Sequence, residues 1–184
     1  MSRSSILQQL EGGDRRSIGR SNEVVAQVLA EPQMFRPLFA GLVSDNPVVR
    51  ARAADAIEKV TLVCPELLVP YKSRLIGPLA SCDQPEVRWH VAQMLPRVSW
   101  NARERRRVYQ VLTRYLRDAS SIVKTCAMQA LVDLTQQVPA LRLTVVRRLR
   151  TLTAQGTPAM RARGRKLLTA LLRVRKSKED VLVS

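Results

Sequence analysis

The chain has 184 residues, 31 basic against 15 acidic, and its formal net charge of +16 rests mainly on 25 arginines, an excess that implies an anionic partner. Cys64, Cys82 and Cys126 are odd in number and widely spaced, with no Cys-x-x-Cys pair, and His90 is the single histidine. These features argue against a disulfide framework, a metal site or a histidine relay, and for a reducing, cytoplasmic setting.

No run of about 18 apolar residues occurs, so no membrane insertion is expected. Nothing in the residues indicates a cofactor, a metal or a small-molecule substrate. Residues 1–20 are expected to be irregular. Within them Gly12-Gly13-Asp14-Arg15-Arg16-Ser17-Ile18-Gly19-Arg20 combines flexible backbone with three arginines, the ingredients of an anion-binding loop. No strand precedes it and no Gly-Lys-Ser/Thr ending follows, so a turn into a helix over Ser21–Glu31 is the expected structure.

From residue 32 onward helices are expected in pairs. The first members cover Gln33–Val43, Pro70–Ala80, Arg103–Leu116 and Leu141–Leu152. The second members start at Asn46-Pro47, Gln84-Pro85, Ser120 and Thr157-Pro158. Asn, Ser and Thr can accept from the first helix amides, and proline at the first helical position loses no donor. Gln84 is a weaker cap. Apolar residues in the second members sit at Val49, Ala53, Ile57 and Val60; Val87, Val91, Leu95 and Val98; Val123, Ala127, Leu131 and Leu134; and Met160, Leu168 and Leu171 with Gly164 between. That spacing lines one side of a helix. Pro32, Pro65, Pro78 and Pro139 punctuate the series, and short connections imply antiparallel neighbours. No stretch reads as a strand, since Pro65 and Pro70 interrupt the short apolar runs near residues 62–69. Beyond Val174, Arg175-Lys176-Ser177-Lys178 is expected to form a flexible basic tail over 174–184.

The pairs repeat. Asp45-Asn46-Pro47-Val48-Val49-Arg50 returns as Asp83-Gln84-Pro85-Glu86-Val87-Arg88, then more loosely at Ser120–Lys124 and Thr157–Arg161, and the anchors Val49, Val87, Val123 and Met160 are 38, 36 and 37 residues apart. A near-constant period of this size belongs to stacked helical repeats, which offer a continuous binding surface. The chain resembles the HEAT-repeat (armadillo-like) family over roughly residues 32–172, most closely at Asp45–Ile57 and Asp83–Leu95. The resemblance implies an all-α fold, a right-handed α-α superhelix of about four to five repeats spanning residues 21–173 as one domain. It also implies a concave face of the kind such proteins use to hold protein or nucleic acid. Family members range from adaptors and transport factors to phosphatase scaffolds and DNA glycosylases, so the family alone does not assign an activity.

Charge is not evenly spread. Residues 1–96 carry 11 basic and 10 acidic side chains, while residues 97–184 carry 20 and 5. The candidate partner-binding residues are Arg103, Arg106, Arg107, Arg114 and Arg117, Arg147 and Arg150, and Arg161 and Arg165. Helical spacing places the first five largely on one stripe. The column Arg50, Arg88, Lys124, Arg161 recurs once per repeat and is read first as internal pairing, second as a ladder for phosphates. Trp89, His90, Trp100 and Glu104 invite comparison with the glycosylases, but the catalytic role there belongs to Asp, and no nucleophile–base pair stands out. The expected function is a non-enzymatic scaffold for an acidic protein surface, with sequence-nonspecific binding of a nucleic-acid phosphate backbone as the alternative. Sparse aromatics disfavour single-strand recognition. The residues do not determine the oligomeric state.

Overall fold

A computed structural model describes residues 5–13 and 17–182, with side chains as far as Leu172. All regular structure among the described residues is helical, and the chain divides into two compact units, Met1–Trp100 and Asn101–Ser184.

In unit 1, α1 (Ser21–Ala30), α3 (Pro47–Val63) and α5 (Pro85–Met94) are the regular helices, and α3 packs against both α1 and α5. Their partners are short. The expected helix at 33–43 reduces to α2 (Phe35–Ala40) between 3-10 turns, and the one at 70–80 to α4 (Lys72–Ile76) after a 3-10 stretch at Pro65–Tyr71. Proline is the cause: Pro32, Pro65, Pro70 and Pro78 each lack an amide donor and clash with a continuing α-helix. Pro96 likewise ends α5 at Met94, so Val98 lies past a 3-10 turn at Leu95–Arg97 yet remains buried. Phe35, Phe39 and Tyr71 cluster here, with Phe39 and Tyr71 stacked at 3.8 Å between ring centroids.

Unit 2 contains α6 (Ala102–Tyr115), α7 (Ser121–Gln137), α8 (Arg142–Gln155) and α9 (Pro158–Leu182). No proline interrupts α6 or α8, and both first-type helices reach 14 residues. Helix α7 packs against α6, α8 and α9, and α8 lies along α9. The tail expected from residue 174 instead continues α9 to Leu182.

Burial follows the repeat column closely. Of its positions only Leu168 is half-buried, and the rest are in the core. Gly164, the one non-apolar member, is required there: a Cβ would overlap Thr153 Oγ1 and stand 3.1 Å from Thr153 Cβ and 3.3 Å from Met128 Cε. The caps form as expected at Asn46, which accepts from the Val48 amide at 2.9 Å, and at Ser120 and Thr157. Gln84 makes no cap. Its side chain reaches back to α3 instead, accepting from Arg50 Nε at 2.8 Å and donating to the Pro47 carbonyl at 2.9 Å.

Among the described residues of the amino-terminal segment, regular structure occurs where none was expected. A 3-10 turn at Gln8–Leu10 buries Ile6 and Leu10, and the buried Arg52 of α3 gathers the carbonyls of Leu10, Gly12 and Ser17 at 2.9, 2.6 and 3.1 Å. With carbonyls directed at a guanidinium, this loop is the electrostatic opposite of an anion site. Gly19 is needed at its far end, where φ is +52° and a Cβ would lie 2.6 Å from Arg52 Cζ. Arg15 and Arg16 lie outside the described residues, and Arg20 pairs with Glu23 at 2.6 Å.

Candidate partner-binding surface

Helix α6 begins with a capping box: Asn101 Oδ1 accepts from the Glu104 amide and Glu104 Oε2 accepts from the Asn101 amide, both at 2.9 Å. That start sets the rotation of everything after it. Val108, Val111, Leu112 and Tyr115 fall on one side and are buried. Arg103, Arg106, Arg107 and Arg114, with Arg117 in the following turn, fall within about 100° of arc on the opposite side. All five are exposed, as are Arg147 and Arg150 of α8 and Arg161 and Arg165 of α9. Arg114 lies over the buried Tyr115 ring at 5.9 Å.

Among the described residues, no carboxylate pairs with the side chains of Arg103, Arg106, Arg107, Arg117, Arg147, Arg150, Arg161 or Arg165. Arg103 and Arg107, Arg147 and Arg150, and Arg161 and Arg165 are like charges three or four residues apart, each pair unfavourable by about 0.2–0.5 kcal/mol. The structure therefore brings the α6 arginines onto one stripe but places the other four elsewhere in unit 2.

The repeated basic column divides in function. Arg50 Nη1 donates to the Ser44 carbonyl at 2.6 Å, and Arg88 Nη1 makes the equivalent bond to Cys82 at 2.7 Å, six residues back in each case. These two tie a helix to the turn before it. Lys124 is half-buried and Arg161 is exposed, so the column's internal role is confined to unit 1.

Of the four residues that suggested a glycosylase, Trp100 and Glu104 have structural roles. Trp100 is 4% exposed and donates Nε1–H to the Leu95 carbonyl at 2.7 Å, with Lys72 Nζ 5.1 Å from its ring centre. Glu104 belongs to the capping box. Trp89 and His90 are half-buried neighbours with ring centres 5.6 Å apart. Burial holds the His90 pKa below its ordinary value, with Lys59 and Arg97 adding to the effect and Asp55 and Glu58 opposing it. Nδ1 of His90 has no hydrogen-bond partner. Beside it, the half-buried Arg97 pairs with the buried Glu58 and donates to Thr61 Oγ1 at 3.0 Å, and Asp55 accepts from Ser21 Oγ and from Lys59 Nζ, the latter at 2.7 Å. This network links α1, α3 and the Leu95–Arg97 turn.

The unit boundary at residue 100 nearly coincides with the charge boundary. Unit 1 has 12 basic and 10 acidic residues, unit 2 has 19 and 5. Two features escaped the sequence reading. Leu143 and Leu172 are 69% and 49% exposed on α8 and α9. Between Asp133 and Glu179 there is no carboxylate at all against 12 basic residues, a signal available from residue order alone.

Among the described residues, no helix is long and apolar enough to cross a membrane. No protein-family model matches the chain, and no curated protein does. Among solved structures it is similar to the crystal structure of an engineered protein from the Northeast Structural Genomics Consortium. The identity is 16%, the TM-score 0.62, and the match covers 91% of this chain and 78% of the other. That likeness bears on the all-helical fold and carries no activity with it.

Proposed function

We propose that the chain is a non-enzymatic HEAT-like interaction module, a right-handed superhelix of four to five repeats, whose unit 2 holds an acidic macromolecular partner. The observation that carries this reading is the set of eight exposed arginines with no carboxylate pairing among the described residues. Like charges held close on three helices are stabilised by an external anion rather than by the chain itself. Engagement of Trp100 and Glu104 in packing and capping supports a binding rather than a catalytic role. An acidic protein surface is the primary partner. A phosphate backbone is the second reading, favoured by the α6 stripe, whose arginines extend over about 20 Å with Tyr115 buried and Tyr109 half-buried, leaving no exposed ring for bases to stack on.

Duplex DNA binding at two salt concentrations separates them, using the wild type and a variant with Arg106→Glu and Arg147→Glu. The protein-partner reading expects weak binding. Micromolar or tighter affinity, falling with a log–log salt slope of about −4 to −5 and lost in the variant, transfers the function to the phosphate backbone. No binding at low salt removes the nucleic-acid reading.

A further inference from the structure

Helices α8 and α9 run antiparallel, in a register set by the close approach of Thr153 to Gly164. The Arg142 guanidinium, which donates to the Leu171 carbonyl, fixes the other end. Each step along α8 is then a step back along α9, so Leu172 stands level with Val145, Arg165 with Leu152 and Arg161 with Gly156. The core-facing residues are Val145 and Leu149 in α8 and Met160, Gly164, Leu167 and Leu171 in α9.

Turned from those core positions, in the sense of the helix winding, are Leu143, Arg147 and Arg150 in α8, by about 120–180°, and Arg161, Arg165 and Leu172 in α9, by about 90–130°. Reversing a helix reverses its sense of rotation, so in an antiparallel pair offsets of like sign fall on the same side of the pair, and an offset near 180°, as at Arg147, points straight outward. These six residues therefore share one face, and all six are exposed. The opposite offset holds the half-buried Arg148, Leu152 and Arg163, on the side where α7 packs against both helices. Along the open face, Leu143 and Leu172 come first, then Arg147, Arg150, Arg165 and Arg161, over about 20 Å.

We infer that this open α8–α9 face docks an acidic amphipathic helix of a partner protein. Leu143 and Leu172 receive its apolar side chains, and Arg147, Arg150, Arg161 and Arg165 its carboxylates. The inference rests on the acidic-partner reading above and gives it a place and a chemistry. Charge complementarity selects the occupant. The whole of residues 134–178 contains no Asp or Glu to neutralise the face from within. A second copy seated face to face would set four arginines against four. A phosphate backbone gains nothing from leucines that are 69% and 49% exposed, whereas an amphipathic helix uses both halves of the face. Arginine suits the charged half because its planar fork accepts carboxylates two bonds at a time.

The test uses a synthetic, end-capped helical peptide of about 14 residues, long enough to span about 20 Å, with leucines on one face near one end and glutamates along the rest. Its binding to the full chain is followed by fluorescence anisotropy at low salt, beside polyglutamate of equal charge and a 20-base-pair DNA duplex. The expected result is micromolar affinity for the peptide, about tenfold tighter than for polyglutamate. Leu143→Ser with Leu172→Ser removes that tenfold advantage and leaves polyglutamate binding unchanged. Arg147→Gln with Arg165→Gln weakens both ligands, Arg106→Gln with Arg117→Gln on the α6 side weakens them less, and the exposed Arg36→Gln with Arg74→Gln in unit 1 weakens neither. Equal peptide affinity in the leucine variant overturns the inference, as does DNA outcompeting the peptide in a manner that depends on Arg147 and Arg165. If only the α6 variant loses the acidic ligands, the acidic-partner reading stands and this face is not its site. If no acidic probe binds at all, both fall.

Discussion

Gly164 offers the sharpest test of how α8 and α9 meet. Helix propensity alone makes Gly164→Ala stabilising by about 1 kcal/mol, because alanine loses less backbone entropy on ordering. Space opposes it. The added methyl would overlap Thr153 Oγ1, with Thr153 Cβ at 3.1 Å and Met128 Cε at 3.3 Å. The methionine can give way, being the end of a flexible side chain. Thr153 cannot do so readily, because its hydroxyl donates to the Leu149 carbonyl at 2.7 Å and its χ1 is restricted. Overpacking of this kind costs about 1–3 kcal/mol, so the net expectation is a loss of about 1 kcal/mol. In a chain of this size that lowers Tm by about 2–4 °C. Adding Thr153→Ala removes the overlapping hydroxyl and leaves a contact a few tenths of an ångström tight. The double variant should be at least as stable as the wild type, with a coupling of about 1–2 kcal/mol between the sites. Thermal unfolding of the four proteins measures the cycle. A Gly164→Ala variant that is more stable than wild type, or a cycle that is additive, would refute the close approach as the reason for glycine at this position.

Two further predictions concern unit 1. Arg52→Met removes the guanidinium that holds the carbonyls of Leu10, Gly12 and Ser17, and is expected to destabilise by about 3 kcal/mol, since bonds to a buried charged donor are worth about 1.5–3 kcal/mol. Limited trypsin digestion should then cut near Arg15, Arg16 and Arg20 ahead of the rest of the chain, and a wild-type digestion pattern would exclude the latch. His90, neutral by burial, has a folded pKa below its ordinary value of 6.5. A depressed histidine contributes stability that is complete above the unfolded pKa and is lost as pH falls below it toward the folded one. Stability should therefore decline below about pH 6.5, with Asp55, Glu58, Lys59 and Arg97 as the surrounding charges, and His90→Phe should flatten that decline. An unchanged pH profile of Tm in the variant would show that another group is responsible.

The helices of the repeat are legible in residue order because their causes are local. Asn46, Ser120 and Thr157 cap, proline opens, and apolar side chains recur at three and four. The exposure of the α6 arginines was equally readable, since a capping box and four core residues fix the rotation of that helix. Prolines at 65, 70 and 78 could also have warned that α4 would be short, and the acid-free run from 134 to 178 that α8 and α9 lack internal partners. What residue order could not separate is Arg50 and Arg88 from Arg161. All three occupy the same column, yet the first two bond to turn carbonyls six residues back and the third stands in solvent. Nor could it show that Arg52 would latch a segment some forty residues away, or that Leu143 and Leu172 would share a face. Periodicity determines which side of each helix is buried. Whether a given charge on the remaining side closes on a neighbour or faces outward depends on which backbone carbonyls and side chains the packing brings within hydrogen-bond reach, and only the tertiary structure decides that.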